Sequence, residues 1–126
     1  MKEVMAVIRM NMMNKTKDAL AAAGISSFTA TGRVLGRGKG KVDFRLVKGA
    51  EQGNEEAIAL LGQGPKLVPK RLITVIVPDE LASRVVETLI SVNKTGNAGD
   101  GKIFVLPVFD AGRIRTGEFG ATVLDE

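Results

Sequence analysis

Cysteine, histidine, tryptophan and tyrosine are all missing from the 126 residues. No cysteine means no disulfide. No cysteine and no histidine together exclude the usual zinc sites and any Ser–His or Cys–His nucleophile. A hard cation such as Mg²⁺ is still compatible, held mainly through a ligand's phosphates. Aromatics are only 4% of the chain, all phenylalanine, so the stacking platforms that single-stranded nucleic acid uses are scarce. No apolar run approaches the ~18 residues of a membrane span. Met1-Lys2-Glu3-Val4 runs straight into a strand-like pattern rather than a signal peptide. A cytoplasmic location is therefore expected.

Hydrophobic residues make up 44% of the chain, and mean hydropathy is +0.11. That is enough for a single domain over 1–126 with a modest core. The net charge of +4 is unevenly spread. Across 33–48, Arg33, Arg37, Lys39, Lys41, Arg45 and Lys48 face one acid, Asp43. With so few aromatics, small anions suit this strip better than nucleic acid.

Residues 3–10 alternate, with Val4, Ala6 and Ile8 on one face, and predict a strand. A helix over 16–23 follows, capped by Asn11 or Asn14 and stopped by Gly24. A second strand is expected over about 27–35, with Phe28, Ala30 and Val34 as its apolar members. From 36 to 70 glycines interrupt every element, giving a loop of functional length. Within it Val42, Phe44 and Leu46 alternate with charges, and Asn54 can cap a short helix over 55–61. A β-branched run over 72–77 predicts the third strand. Pro78-Asp79 opens a helix over 80–92, whose Leu81, Val85, Leu89 and Val92 form one stripe. The fourth strand is expected over 103–108. This order gives a ferredoxin-like βαββαβ plait of α+β class, with both helices on one face and a long functional loop between strands 2 and 3. Met5, Val7, Ile73 and Val75 would supply apolar surface on the other face, so assembly through the sheet is expected.

Two segments carry chemistry. Gly36-Arg37-Gly38-Lys39-Gly40 reads either as a basic hairpin tip or as a nest of backbone N–H groups for an anion. Residues 95–118 place Gly96, Gly99 and Gly101 around Asp100, end the glycine run in Lys102, and then bring Arg113 and Arg115 on either side of Ile114. In an extended segment the two arginines point one way and Ile114 points to the core. Arginine pairs and a lysine beside a glycine loop suit phosphate. The plainer alternative is a Gly-Asp-Gly turn and a solvated strand end.

Thr95-Gly96, Gly99-Asp100-Gly101-Lys102-Ile103-Phe104-Val105 and Arg113-Ile114-Arg115-Thr116-Gly117-Glu118 resemble the C-terminal signature of the PII family of nitrogen regulatory proteins. Thr29-Ala30-Thr31 and the 36–40 segment extend the likeness over nearly the whole chain. The resemblance implies an ATP/ADP site between neighbouring subunits. Thr29, Gly36, Arg37 and Gly38 would lie on one side, with Gly99, Asp100, Gly101, Lys102, Arg113 and Arg115 across it. It also implies 2-oxoglutarate sensing beside Mg²⁺, near Gly38, Lys39, Gly40 and Lys70. Gly38 stands where the family has the glutamine that completes the chelate, so a backbone carbonyl, a water or another subunit must replace that side chain. The tyrosine that enteric members modify falls at Gln52, which rules out nucleotidylation at tyrosine. The long loop, with Leu35-Gly36-Arg37-Gly38-Lys39-Gly40 before it, is similar to the NifI branch. That likeness implies a homotrimer, or a hetero-oligomer with a sister subunit. It implies a protein that inhibits nitrogenase and is relieved by 2-oxoglutarate plus ATP. Gln52, Ile58, Leu60 and Leu61 would form the target-binding part of the loop.

Other functions compete with this one. A general PII regulator would act on another target, such as an ammonium channel or glutamine synthetase. An enzyme lacks an obvious base, since histidine is absent and Asp100 sits between glycines. An RNA-binding plait would need aromatics on its central strands, whereas Phe28 and Phe104 lie in apolar runs that read as core.

Overall fold

The computed structural model describes residues 1–36 and 67–124. It divides into two compact units, Met1–Val34 with Pro69–Glu126, and Leu35–Val68. The first unit carries the fold. Of the second, only the flanking residues 35, 36, 67 and 68 are described, so the short helix expected over 55–61 lies outside the described residues.

The elements in chain order are β1 (Lys2–Arg9), a 3-10 turn (Met10–Met12), α1 (Met13–Ala22), β2 (Thr29–Gly36), β3 (Val68–Val77), α2 (Asp79–Asn93) and β4 (Lys102–Pro107), closed by a 3-10 turn at Ala121–Val123. The sheet order is β2-β3-β1-β4, with β1 antiparallel to both its neighbours. This is the βαββαβ plait that the pattern predicts.

The period-2 alternation of β1 decides which side is core. Val4, Ala6 and Ile8 are buried, together with Ile73, Val75 and Val77 of β3. The helices cover this face with Met13 and Leu20 from α1 and Val85 and Leu89 from α2. Each such side chain contributes on the order of 1.5–3 kcal/mol when fully buried. Helix α1 ends as its sequence predicts. Gly24 takes φ +84°, its N–H bonds to Ala21 O at 3.0 Å, and Ile25 N–H reaches Leu20 O at 2.8 Å. That is a Schellman stop, sealed by the buried pair Leu20 and Ile25.

Several expectations need correction. Neither Asn11 nor Asn14 caps α1: the N-cap is Met12, without a side-chain bond, because the 3-10 turn leads directly into the helix. In α2 the last buried position is Asn93 rather than Val92, so the stripe keeps its four-residue step from Val85 through Leu89. Ile73 and Val75 do not face away from the helices. The register sets Ala6 opposite Ile73 and Val4 opposite Val75, and directly opposed residues share a face. The open face instead carries Met5 and Val7 with Thr74 and Leu72 opposite them, and Phe104 and Leu106 from β4. Phe28 packs against the core, but Phe104 is 47% exposed on that open face. Neither Ala30 nor Val34 of β2 is buried.

Candidate functional site

Loop 95–101 joins α2 to β4 and is built around its own carboxylate. Asp100 accepts backbone N–H bonds from Thr95 (2.8 Å) and Gly96 (3.0 Å). It also accepts the Thr95 hydroxyl and pairs with the Arg9 guanidinium. The Thr95 hydroxyl and the Arg9 guanidinium hold the Asp100 carboxyl well below the usual carboxylate range, with help from the two backbone N–H groups. Thr95 and Gly96 therefore spend their N–H groups on this internal anion. Gly101 has φ +116°, and a Cβ there would lie 2.0 Å from the Val7 carbonyl oxygen. Only glycine lets the loop approach β1 so closely.

Two cations on neighbouring strands clamp the loop. Arg9 and Lys70 are directly opposed in the β1–β3 register. Arg9 donates to Ala98 O at 3.0 Å and Lys70 Nζ to Gly99 O at 2.9 Å. Lys102 lies opposite Val7, so Arg9, Lys70 and Lys102 project from the open face at one end of the sheet. Among the described residues, the carboxylate that meets these cations is that of Asp100. The excess is positive, as an anion site requires.

Arg113 and Arg115 lie in a different setting from the one expected. Residues 112–119 form a tight hairpin, not an extended strand. Gly112 bridges Phe119, Arg113 N–H bonds to Glu118 O at 2.8 Å, and Gly117 N–H bonds to Arg113 O at 2.7 Å. Arg113 pairs with Glu118 at 3.4 Å and reaches Thr122 O at 3.4 Å, while Arg115 is exposed. Ile114 does not enter the core: it is 102% exposed at the turn, because two cross-bonds within six residues leave no room for extension.

Of the predicted site residues, the structure joins Gly99, Asp100, Gly101 and Lys70 in one cluster. Thr29 opens β2 and Gly36 closes it. Arg37, Gly38, Lys39, Gly40, Gln52, Ile58, Leu60 and Leu61 lie outside the described residues. Arg9 escaped the sequence reading. Its signal was available: a cation ends β1, and the plait sets β1 beside β4.

Residues 1–118 match the family described as nitrogen regulatory protein P-II. The chain belongs to the P-II family. It is 47% identical over 125 residues to the "nitrogen fixation nifHD region GlnB-like protein 2" of Methanobacterium ivanovii, covering 95% of this chain and 96% of that one. A protein of the same description from Methanococcus maripaludis is 45% identical, covering 98% and 100%. The nitrogen regulatory protein P-II of Cereibacter sphaeroides is 36% identical, covering 95% and 96%. Among solved structures, Arabidopsis thaliana PII bound to citrate superposes with a TM-score of 0.70 at 30% identity, covering 98% of this chain and 88% of that one. P-II proteins are signalling regulators that oligomerise, so this chain is a regulator rather than an enzyme.

Proposed function

We infer that this P-II chain is a cytoplasmic switch for nitrogen fixation. It binds ATP and ADP in competition, and 2-oxoglutarate beside Mg·ATP. It inhibits nitrogenase, and 2-oxoglutarate plus ATP relieve that inhibition. The observation that carries the ligand side is the excess of cations at one end of the open face, Arg9, Lys70 and Lys102 against Asp100. The names of the nifHD-region relatives at 45–47% identity support the nitrogenase side.

The roles divide by chemistry. Lys102, Arg113 and Arg115, with Arg37, would neutralise phosphates, and Thr29, Gly36, Gly38, Gly99 and Gly101 would let the nucleotide approach backbone. An ammonium has three donors, so Lys70 can keep the Gly99 carbonyl and still take a 2-oxoglutarate carboxylate. Among the described residues no group of three acidic side chains is placed to hold a metal. Mg²⁺ would therefore ride on the phosphates. Gln52, Ile58, Leu60 and Leu61 would grip the target, in a trimer or in an assembly with a sister subunit.

Calorimetry with ATP on wild type and Arg115→Ala tests the ligand side. Loss of one charge-assisted phosphate contact costs about 1.5–3 kcal/mol, roughly ten- to a hundredfold in affinity. An unchanged dissociation constant removes Arg115 from the site. Nitrogenase activity with the chain added, with and without 2-oxoglutarate plus ATP, tests the target. If activity stays full in both arms, a general P-II role on an ammonium channel or glutamine synthetase replaces this one.

A further inference from the structure

The proposed function gives Lys70 and Lys102 a ligand group each and leaves Arg9 without one. The contacts of Arg9 assign it a different task. Its Nη1 pairs with Asp100 Oδ1, and its Nη2 donates to the Ala98 carbonyl at 3.0 Å. A Cβ on Gly99, between those two residues, would lie 3.3 Å from Nη2. The planar guanidinium therefore spans three consecutive residues of the loop, with its two terminal nitrogens set by two partners. Arg9 is the last residue of β1, which lies between β3 and β4 in the sheet. Its own backbone is scaffold, and the loop is what it orders.

Two consequences reach the ligand side. The Ala98–Gly99 peptide is trans, so its N–H lies opposite the carbonyl that Arg9 holds. Arg9 thus sets the direction of a backbone donor, the Gly99 N–H. Asp100 stands two residues before Lys102, and Gly101 between them is pressed against the Val7 carbonyl. With so short a tether, fixing Asp100 fixes where Lys102 enters β4.

We propose that Arg9 is a positioning residue of the nucleotide site, touching no phosphate and acting on ATP through Asp100 and the Ala98 carbonyl. This rests on the reading of loop 95–101 as a nucleotide loop. A guanidinium that met ATP directly would be worth the same with or without Asp100. One that acts through Asp100 loses its value when that carboxylate is removed.

The test is a double-mutant cycle on the full chain, read by calorimetry with Mg·ATP. Arg9→Gln should weaken ATP binding about tenfold, as the loss of one charge-assisted contact that orders the site. In the Asp100→Asn background the same substitution should cost less, since residues that act as a unit are not additive. Arg9→Lys keeps the charge but offers one nitrogen for two partners, so it too should weaken binding. Deuterium exchange without ATP separates positioning from general folding. The amides of Thr95 and Gly96 should exchange faster in both Arg9 variants, while β1 and β3 stay as protected as in wild type. Three results overturn the proposal: an equal loss from Arg9→Gln in both backgrounds, wild-type affinity in Arg9→Lys, or exchange that rises throughout β1 and β3. A wild type that does not bind ATP overturns the nucleotide reading itself, and this inference with it. Arg9→Lys decides the matter even if Arg9→Gln does not fold.

Discussion

The two faces of the sheet are made from the same strands and behave as opposites. On the helix side Val4, Ala6, Ile73 and Val75 have no exposed surface, and they share one hydrophobic cluster with side chains of α1 and α2. On the other side Met5, Val7, Leu72 and Ile76 alternate with them along β1 and β3, Phe104 and Leu106 extend that face from β4, and Phe104, Leu106 and Ile76 are exposed. The difference teaches where the free energy goes. The covered face stabilises the single chain. The open face carries apolar area that a monomer leaves in water, and it ends in the cations that clamp loop 95–101. Under the proposed function one surface would serve both assembly and ligand binding.

The comparison breaks most sharply at the core. Leu20→Ala should cost about 2–5 kcal/mol of folding stability, read as a fall in the urea midpoint. Phe104→Glu should leave the secondary structure intact and instead split the assembly, read by sedimentation at micromolar concentration. If wild type sediments as a stable monomer, the open face is not an assembly face.

The next effect is at the contact between loop 95–101 and β1. Gly101→Ala forces a side chain into the Val7 carbonyl and a positive φ. Strain of this kind costs about 1–3 kcal/mol, and the backbone must also shift to relieve the clash. Thermal unfolding should show the loss, and ATP affinity should fall with it. Gly117 has φ +73° but open space around its Cβ position, so Gly117→Ala should be the milder change.

A smaller effect comes from Asp100→Asn, which keeps the shape but removes the charge facing Arg9. The amides of Thr95 and Gly96 should exchange faster with deuterium, while those of β1 keep their protection. The smallest effect is with pH. The Asp100 carboxyl is held below its ordinary value, so its contribution is complete above the unfolded value near ~4 and is lost as pH falls through the folded value. Protection of Thr95 and Gly96 should be flat from neutral pH to about 5 and decline only in strong acid. A decline near pH 6 would mean that another group holds the loop.

Much of the fold was legible because its signals are local. The alternation in β1, the Gly24 stop and the α2 stripe each depend on residues a few positions apart. The errors came where the answer depended on a partner strand. Ile73 and Leu72 are both apolar neighbours in one β-branched run, and a run without alternation does not say which face is covered. The register with Ala6 does. Ile114 failed for a related reason: Arg-Ile-Arg fits a strand equally well, and only the cross-bonds from Arg113 to Glu118 and from Gly117 to Arg113 make it a turn.

By itself the sequence determined the order of elements, the absence of thiol and imidazole chemistry, and the presence of a glycine loop ending in Lys102. Tertiary structure alone decided that Arg9 and Lys70 meet over that loop. They are distant in sequence from Ala98, Gly99 and Asp100 and share no pattern with them. The plait sets β1 between β3 and β4, and antiparallel register then brings the end of one strand against the starts of the other two. It also decided that Asp100 is the loop's own anion. A carboxylate between two glycines has the same composition whether it faces a ligand or folds back on Thr95 and Gly96, and only the path of the backbone chooses.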